Sequence, residues 1–126
     1  MGEDAKRVYG GDELAVALAA SLPRWTSEDG ARIVRRFTVQ GWKSAVMVLA
    51  AVGHLSEAAW HHPEVRASYG WVEVHLWSHD AGGVTERDLA LAARIEEVIA
   101  WRPAEEEGPL TGPPTDPRFA YVLPDE

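Results

Sequence analysis

The spacing of apolar residues along the chain predicts three helices. Residues 12–21 carry apolar side chains at helical spacing, with Asp12 placed to cap the first turn and Pro23 to end the helix. Residues 42–59 are apolar almost throughout, and a run of this length favours a largely buried helix over a strand. A third helix is predicted over residues 85–101. Its buried side is expected to carry Leu91, Ile95 and Val98.

Between the helices, alternating apolar and polar residues predict two pairs of strands. Residues 25–28 and 31–39 flank Asp29-Gly30, and an Asp-Gly pair between extended segments is a strong signal for a hairpin. Residues 65–69 and 71–79 form a second pair around Gly70. The order of elements therefore predicts an α+β fold, in which a four-stranded antiparallel sheet has three helices packed on one face.

The other face of the sheet is expected to meet a second subunit. Successive side chains of a strand point to opposite faces, so Val72, Val74 and Leu76 share one face of residues 71–79. The opposite face receives Trp71, Glu73, His75, Trp77 and His79. A monomer would expose the two large indole rings there, so we expect a homodimer or a homotetramer.

Composition divides the chain into three parts. A length of 126 residues fits one domain, predicted at residues 10–102 after a flexible N-terminus at 1–9. Residues 103–126 hold six of the eight prolines, and six acids against one arginine. Such a tail cannot bury enough apolar area to offset its ordering entropy, so loop or disorder is predicted. Its less polar end, residues 118–124, is expected to dock on the body or on a neighbouring subunit.

Charge and hydropathy exclude several classes of partner. A net charge of −8 argues against nucleic-acid binding, which draws on clustered Lys and Arg. No apolar run approaches the roughly 18 residues of a membrane span, and the acidic start differs from a secretory signal. The chain has no cysteine, which removes disulfides, thiolate catalysis and cysteine-ligated zinc. We expect a cytoplasmic protein.

Candidate chemistry lies in the histidines, for which three interpretations are open. His61 and His62 precede Pro63, so both could simply meet the negative end of a helix dipole. Metal binding has little support, because adjacent helical side chains diverge. On one strand face, His75 and His79 would lie about 13 Å apart at about 3.3 Å per residue. The sequence predicts no metal site.

General acid/base chemistry is the third interpretation. An ordinary imidazole pKa of about 6.5 lets histidine give and take protons near neutrality. His61 and His62 at a helix end, met by His79 at a strand end, could surround a flat heterocycle in one slot. Glu57 lies one helical turn before His61 and could orient it.

The spacing of these residues resembles the signature of the pterin-4a-carbinolamine dehydratases. The matching residues are Glu57, His61-His62-Pro63, Tyr69, His79 and Asp88. The resemblance covers about residues 12–100, and the chain departs from the family at Val65, often an aromatic, and in the tail. It implies an enzyme that removes water from 4a-hydroxytetrahydropterin to give quinonoid dihydropterin, recycling the cofactor of aromatic amino-acid hydroxylases. Pterin is then the substrate, and no metal or redox cofactor is implied.

The resemblance also implies roles for individual residues. His61 and His79 would donate and accept protons, and His62 would mainly hold the pterin. Glu57 and Asp88 would be supporting carboxylates, although Asp88 also fits a capping box with Thr85.

Further alternatives remain open. Trp25 resembles a tryptophan near the family's pocket, but a hairpin tryptophan can equally belong to the core. Proteins on this fold also act without catalysis, as a transcriptional dimerization cofactor or a Rubisco assembly factor. The acidic tail and exposed tryptophans would suit such a role. A third possibility is a dehydratase that serves molybdenum-cofactor metabolism.

Overall fold

The computed structural model describes residues 6–125, so the first five residues of the predicted flexible N-terminus lie outside the described part. Four strands form one sheet in the order β1-β2-β4-β3, with every neighbouring pair antiparallel. The predicted fold class is confirmed, since three α-helices accompany the sheet. The elements are α1 Gly11–Ser21, β1 Thr26–Glu28, β2 Arg32–Thr38, α2 Gly41–Ala59, β3 Glu64–Ser68, β4 Trp71–Leu76 and α3 Glu86–Ile99.

The first hairpin follows the sequence prediction closely. Asp29 and Gly30 both have positive φ angles, 55° and 72°. Two central residues with positive φ form the turn whose twist matches that of antiparallel strands. The Asp-Gly pair therefore joins β1 to β2 as expected.

The first helix begins differently from the prediction. Gly10, with an extended backbone, precedes the first helical residue, and the Glu13 carboxylate accepts a hydrogen bond from the Gly10 N–H at 3.3 Å. Asp12 lies inside the first turn and does not cap it. The prediction of an Asp12 cap is therefore wrong, because two glycines before Asp12 let the chain enter the helix earlier.

The second helix ends at a tryptophan in the left-handed conformation. Trp60 has φ 51° and ψ 47°, and its N–H bonds back to the carbonyl of Glu57. A non-glycine residue is uncommon in this region. His61 and His62 therefore lie beyond the helix, in the short connection to β3, and not in its last turn.

The third helix buries a slightly different face from the one predicted. Leu91 and Ile95 are buried as expected, but Val98 is 42% exposed and Ile99 takes its place in the core. The spacing 91, 95, 99 keeps to one side of the helix, because four residues advance by slightly more than one turn.

The core lies between the helices and one face of the sheet. On β2 the inward residues are Ile33, Arg35 and Phe37, so a guanidinium that is only 4% exposed sits in an otherwise apolar row. Arg35 donates to the Glu96 carboxylate of α3 at 2.7 Å and to Asp125 of the tail at 2.9 Å. A buried charge of this kind needs such partners.

On the outer face of the sheet, the two indole rings are covered by arginines. The Arg36 guanidinium lies 4.0 Å from the Trp71 ring centroid, and that of Arg32 lies 4.3 Å from the Trp77 ring centroid. Both rings are half-buried rather than bare, contrary to the expectation. A group of exposed apolar side chains lies on α2. They are Trp42, Val46, Met47 and Leu49.

The tail docks on the body of its own chain. Its turns at Pro103–Glu105 and Pro117–Phe119 lead to residues 121–123, which pair with the end of β2. Gln40 N–H donates to the Tyr121 carbonyl at 2.9 Å, and Leu123 N–H donates to the Thr38 carbonyl at 2.8 Å. Of the two docking places expected for residues 118–124, the structure shows the body.

Within residues 6–125, none of the helices combines the length and the apolar character that crossing a membrane requires.

Candidate active site

A buried histidine–carboxylate pair lies where the end of α2 meets the start of α3. The Nε2 atom of His61 is 2.5 Å from Oδ1 of Asp88. The His61 side chain is 13% exposed, and that of Asp88 is fully buried. A histidine just past one helix is thus held by a carboxylate in the first turn of another.

The Asp88 carboxylate is fixed by further hydrogen bonds on its other oxygen. Oδ2 accepts from the Thr85 N–H and from the Ser78 hydroxyl, each at 2.8 Å. Thr85 and Asp88 form the predicted capping box at the start of α3. The positive end of the helix dipole also favours a carboxylate in this turn. Both oxygens of the buried carboxylate therefore have a polar partner, as burial of a carboxylate demands.

A cavity of about 530 Å³ opens beside His61, between α2 and α3. Its volume is within the range of roughly 300–1,000 Å³ that small-molecule sites occupy. The walls are mainly apolar, with arginines on one side. They include Leu55, Ala59, Trp60, Arg87, Leu91 and Arg94.

Arg87 is anchored at one side of this cavity. Its Nη2 donates to Asp80 Oδ1 at 2.7 Å, and this hydrogen bond is the main cause that lowers the pKa of the Asp80 carboxyl below its ordinary value. The wall of the cavity is therefore cationic at this point, with its counter-charge on the surface.

His62 and Glu57 form a second pair, on the surface. His62 Nε2 lies 2.8 Å from Glu57 Oε1, and the two side chains are 50% and 69% exposed. The Trp60 ring meets the His62 ring edge-on, with centroids 5.0 Å apart. Glu57 thus contacts His62 and not His61, which the sequence had suggested as its partner.

His79 occupies a different place from the one expected. Strand β4 ends at Leu76, so His79 lies on a turn and not on the strand face. Its ring stacks on Trp77 at 4.5 Å and lines a cavity of about 300 Å³. His61 and His79 therefore line separate cavities, and not the single slot predicted from the sequence. The two sites are joined through Ser78, which precedes His79 and binds Asp88.

Trp25 lies in the core. It is 2% exposed, and its indole N–H donates to Glu96 Oε1 at 2.9 Å. This position fits the core alternative that the sequence left open for a hairpin tryptophan, because Glu96 also binds Arg35 there.

Sequence reasoning missed two contributors to the site. Ser78 is fully buried and binds Asp88, yet a lone serine after a strand carries no motif that could have revealed this. Arg87 follows the cap of α3, and its place beside the cavity appears only when the two helices pack.

In the described part of the chain, no three His, Cys, Asp or Glu side chains gather closely enough to hold a metal ion.

The family described as pterin 4 alpha carbinolamine dehydratase matches residues 9–98. Two relatives have names that assign them provisionally to this dehydratase. The one from Haloarcula marismortui is 49% identical and aligns over 59% of this chain and 79% of its own. The one from Afipia carboxidovorans is 39% identical and aligns over 71% of this chain and 90% of its own.

A solved structure is also similar in fold. The crystal structure described as a transcriptional coactivator/pterin dehydratase from Brucella melitensis superposes with a TM-score of 0.66 at 30% identity. The match covers 73% of this chain and 98% of the other. With the family match spanning residues 9–98 of the 126, the chain belongs to the pterin 4 alpha carbinolamine dehydratase family.

Proposed function

We propose that the protein dehydrates 4a-hydroxytetrahydropterins, with His61 as the acid/base group. The observation that supports this most strongly is the contact of His61 with the buried Asp88 at the edge of the 530 Å³ cavity. A carboxylate that holds one imidazole nitrogen leaves the other nitrogen oriented toward a ligand. Family membership makes a pterin the natural occupant.

The reaction needs one proton delivered and one removed. Protonation of the hydroxyl at C4a turns it into water, and the C4a–O bond breaks with its electron pair leaving on oxygen. The resulting cation is shared with the adjacent ring nitrogen N5. Loss of the N5 proton then gives the quinonoid dihydropterin. A positioned acid/base group contributes roughly 10²–10⁴-fold to such proton transfers.

Within this proposal His61 donates the proton to the leaving hydroxyl. The N5 proton passes to water or to a second histidine. His79 is the candidate for that step only if its ring leaves the stack on Trp77, since it lines a separate cavity. His62 is exposed beside Trp60, where it can hold the edge of a bound ring system.

Replacing His61 tests the proposal. Purified protein is expected to accelerate the loss of 4a-hydroxypterin absorbance, and His61→Ala is expected to lower kcat by about 10²-fold, the lower range for a positioned acid/base. His54→Ala is the matched control, because His54 is an exposed histidine of α2 that lines none of the cavities described above. If wild type, His61→Ala and His54→Ala all match buffer alone, the enzymatic proposal is wrong.

A second candidate is a binding role without catalysis. The exposed apolar side chains on one stretch of α2, among them Trp42 and Val46, favour contact with another helix. The similar protein from Brucella melitensis is described both as a coactivator and as a dehydratase. Inactivity of the wild-type protein in the dehydration assay would leave this candidate in place of the first.

A further inference from the structure

We propose that Ser78 and Thr85 are positioning residues that fix the tautomer of His61, so that Nδ1 is the nitrogen that meets the ligand. The proposal deepens the assignment of His61 as the acid/base group and rests on it for the chemical consequence. Its structural part concerns only which nitrogen carries the proton.

The distances favour one order of hydroxyl hydrogen bonds around Asp88, because Thr85 Oγ1 lies 3.5 Å from Oδ2 and Ser78 Oγ lies much closer to it. Ser78 Oγ lies 2.7 Å from Thr85 Oγ1 and 2.8 Å from Asp88 Oδ2. Ser78 has a single hydroxyl proton, and the carboxylate can only accept. Ser78 therefore donates to Asp88 and accepts from Thr85. The Asp88 N–H bonds to the Thr85 carbonyl at 3.0 Å and makes no claim on the Thr85 hydroxyl proton.

This order occupies Asp88 Oδ2 and leaves Oδ1 for His61. The Thr85 N–H and the Ser78 hydroxyl both point at Oδ2, so a proton has no room there. With both donors placed on Oδ2, the carboxylate accepts on Oδ1 from the His61 Nε2–H, which lies 2.5 Å away. His61 is thus held with a proton on Nε2.

The other ring nitrogen of His61 remains available. In the described part of the chain Nδ1 has no hydrogen-bond partner, while the His61 side chain lines the cavity. When His61 is neutral, Nδ1 is bare and can accept a proton; when His61 is charged, Nδ1 can donate one. In either state, Nδ1 is the atom that exchanges a proton with the ligand.

The Ser78 hydroxyl serves this network alone. Thr85 would be needed to cap α3 in any case, but Ser78 precedes the helix by several residues and takes part in no cap. The contacts of its hydroxyl are with Thr85 and Asp88. Removing it frees Oδ2 to rotate toward other donors and loosens the hold on His61.

Tautomer-sensitive NMR of the ¹⁵N-labelled imidazoles tests the proposal directly. In the wild type, neutral His61 is expected to show the pattern of a proton on Nε2. In Ser78→Ala the pattern is expected to move toward a mixture of both tautomers. The same variant is expected to lower kcat about tenfold with KM changed less than about twofold.

Ser56→Ala is the matched control. Ser56 is also a buried serine near the end of α2, but its hydroxyl donates to the Val52 carbonyl at 2.7 Å and has no contact with Asp88. The control is expected to keep both the tautomer and kcat of the wild type. If His61 in Ser78→Ala stays wholly in the Nε2–H form, the proposal is overturned.

A second pair covers the case in which Ser78→Ala does not fold. Thr85→Ser keeps the hydroxyl that donates to Ser78, and Thr85→Val removes it with little change in shape. The tautomer of His61 is expected to be that of the wild type in the first and mixed in the second. Identical spectra for the two variants contradict the proposal. These spectra need no substrate, so they decide the point even if the protein proves not to dehydrate pterins.

Discussion

Two histidine–carboxylate pairs formed by neighbouring histidines differ mainly in burial. His61 meets Asp88 at 2.5 Å with side chains 13% and 0% exposed, whereas His62 meets Glu57 at 2.8 Å with both side chains largely in solvent. Asp88 has further donors on its second oxygen, whereas the Glu57 carboxylate contacts His62 through Oε1. The same two chemical groups therefore form one rigid pair and one loose pair.

The difference shows that the position of a histidine in the sequence does not reveal which histidine–carboxylate pair can transfer a proton. A surface pair is screened by solvent and loses side-chain entropy when it forms, so it contributes little. Burial of an ion pair costs free energy unless each of its polar atoms has a hydrogen-bond partner. A pair that is fully hydrogen-bonded is held in one geometry. Oriented proton transfer needs the second kind of pair.

The largest expected effect follows from removing the charge of the buried pair. Asp88→Asn is expected to lower kcat by about 10²-fold, because an amide can donate to His61 and no longer holds a proton on Nε2. Steady-state kinetics on 4a-hydroxytetrahydropterin measures this. Asp12→Asn, which changes an exposed carboxylate on α1, is the control. A kcat of Asp88→Asn within threefold of wild type would remove the distinction between the two pairs.

A pair without a histidine, formed by the buried Arg35 and the partly exposed Asp125, tests the effect of burial on stability. Arg35 donates two hydrogen bonds to Asp125, and these are the first cause that lowers the pKa of Asp125. Asp125→Asn is expected to reduce the free energy of unfolding by about 1–2 kcal/mol at pH 7, and to leave kcat unchanged.

The difference in the free energy of unfolding between wild type and Asp125→Asn depends on pH with a definite sign. Because the pKa of Asp125 is lower in the folded state, its contribution is complete above the ordinary value of about 3.9 and is lost as the pH falls through the lowered value. Urea unfolding of wild type and Asp125→Asn between pH 7 and pH 3 measures it. A difference that grows as the pH falls contradicts this account.

The smallest effect is expected for the exposed pair. Glu57→Gln should change kcat/KM by less than about threefold and the free energy of unfolding by no more than about 0.5 kcal/mol, since solvent already screens the contact with His62. The same kinetic and urea measurements apply. A loss comparable to that of Asp88→Asn would show that ligand binding buries Glu57 and makes the two pairs equivalent.

Local signals in the sequence predicted most of the fold. The Asp29-Gly30 turn and the Thr85/Asp88 capping box each depend on a few adjacent residues, and both are present. The start of α1 was missed, because either Gly10 or Asp12 could end the extended segment. Val98 was misplaced because the buried face of α3 is centred on Asp88, Ala92, Ile95 and Ile99, and Val98 lies at the edge of that face.

The site was less predictable, because its contacts cross between elements. The sequence named His61 and Asp88 through a family signature, but their contact depends on how α2 packs against α3. His79 was assigned to a strand face, and the strand ends three residues earlier. The partnership of Arg35 with Asp125 joins residues 90 apart in the chain, and no local pattern encodes such a pairing.

The pairing of residues 121–123 with β2 bears on the order of events during synthesis. The Val39 N–H donates on the β4 side, to the Gly70 carbonyl. The Thr38 carbonyl and the Gln40 N–H therefore point to the opposite side of the chain, where β1 pairs only with Arg32–Val34. That half of the edge stays open until residues 121–123 have left the ribosome. A nascent chain without these residues thus presents an unpaired strand edge, open to pairing with other chains, and the arrival of residues 121–123 closes it.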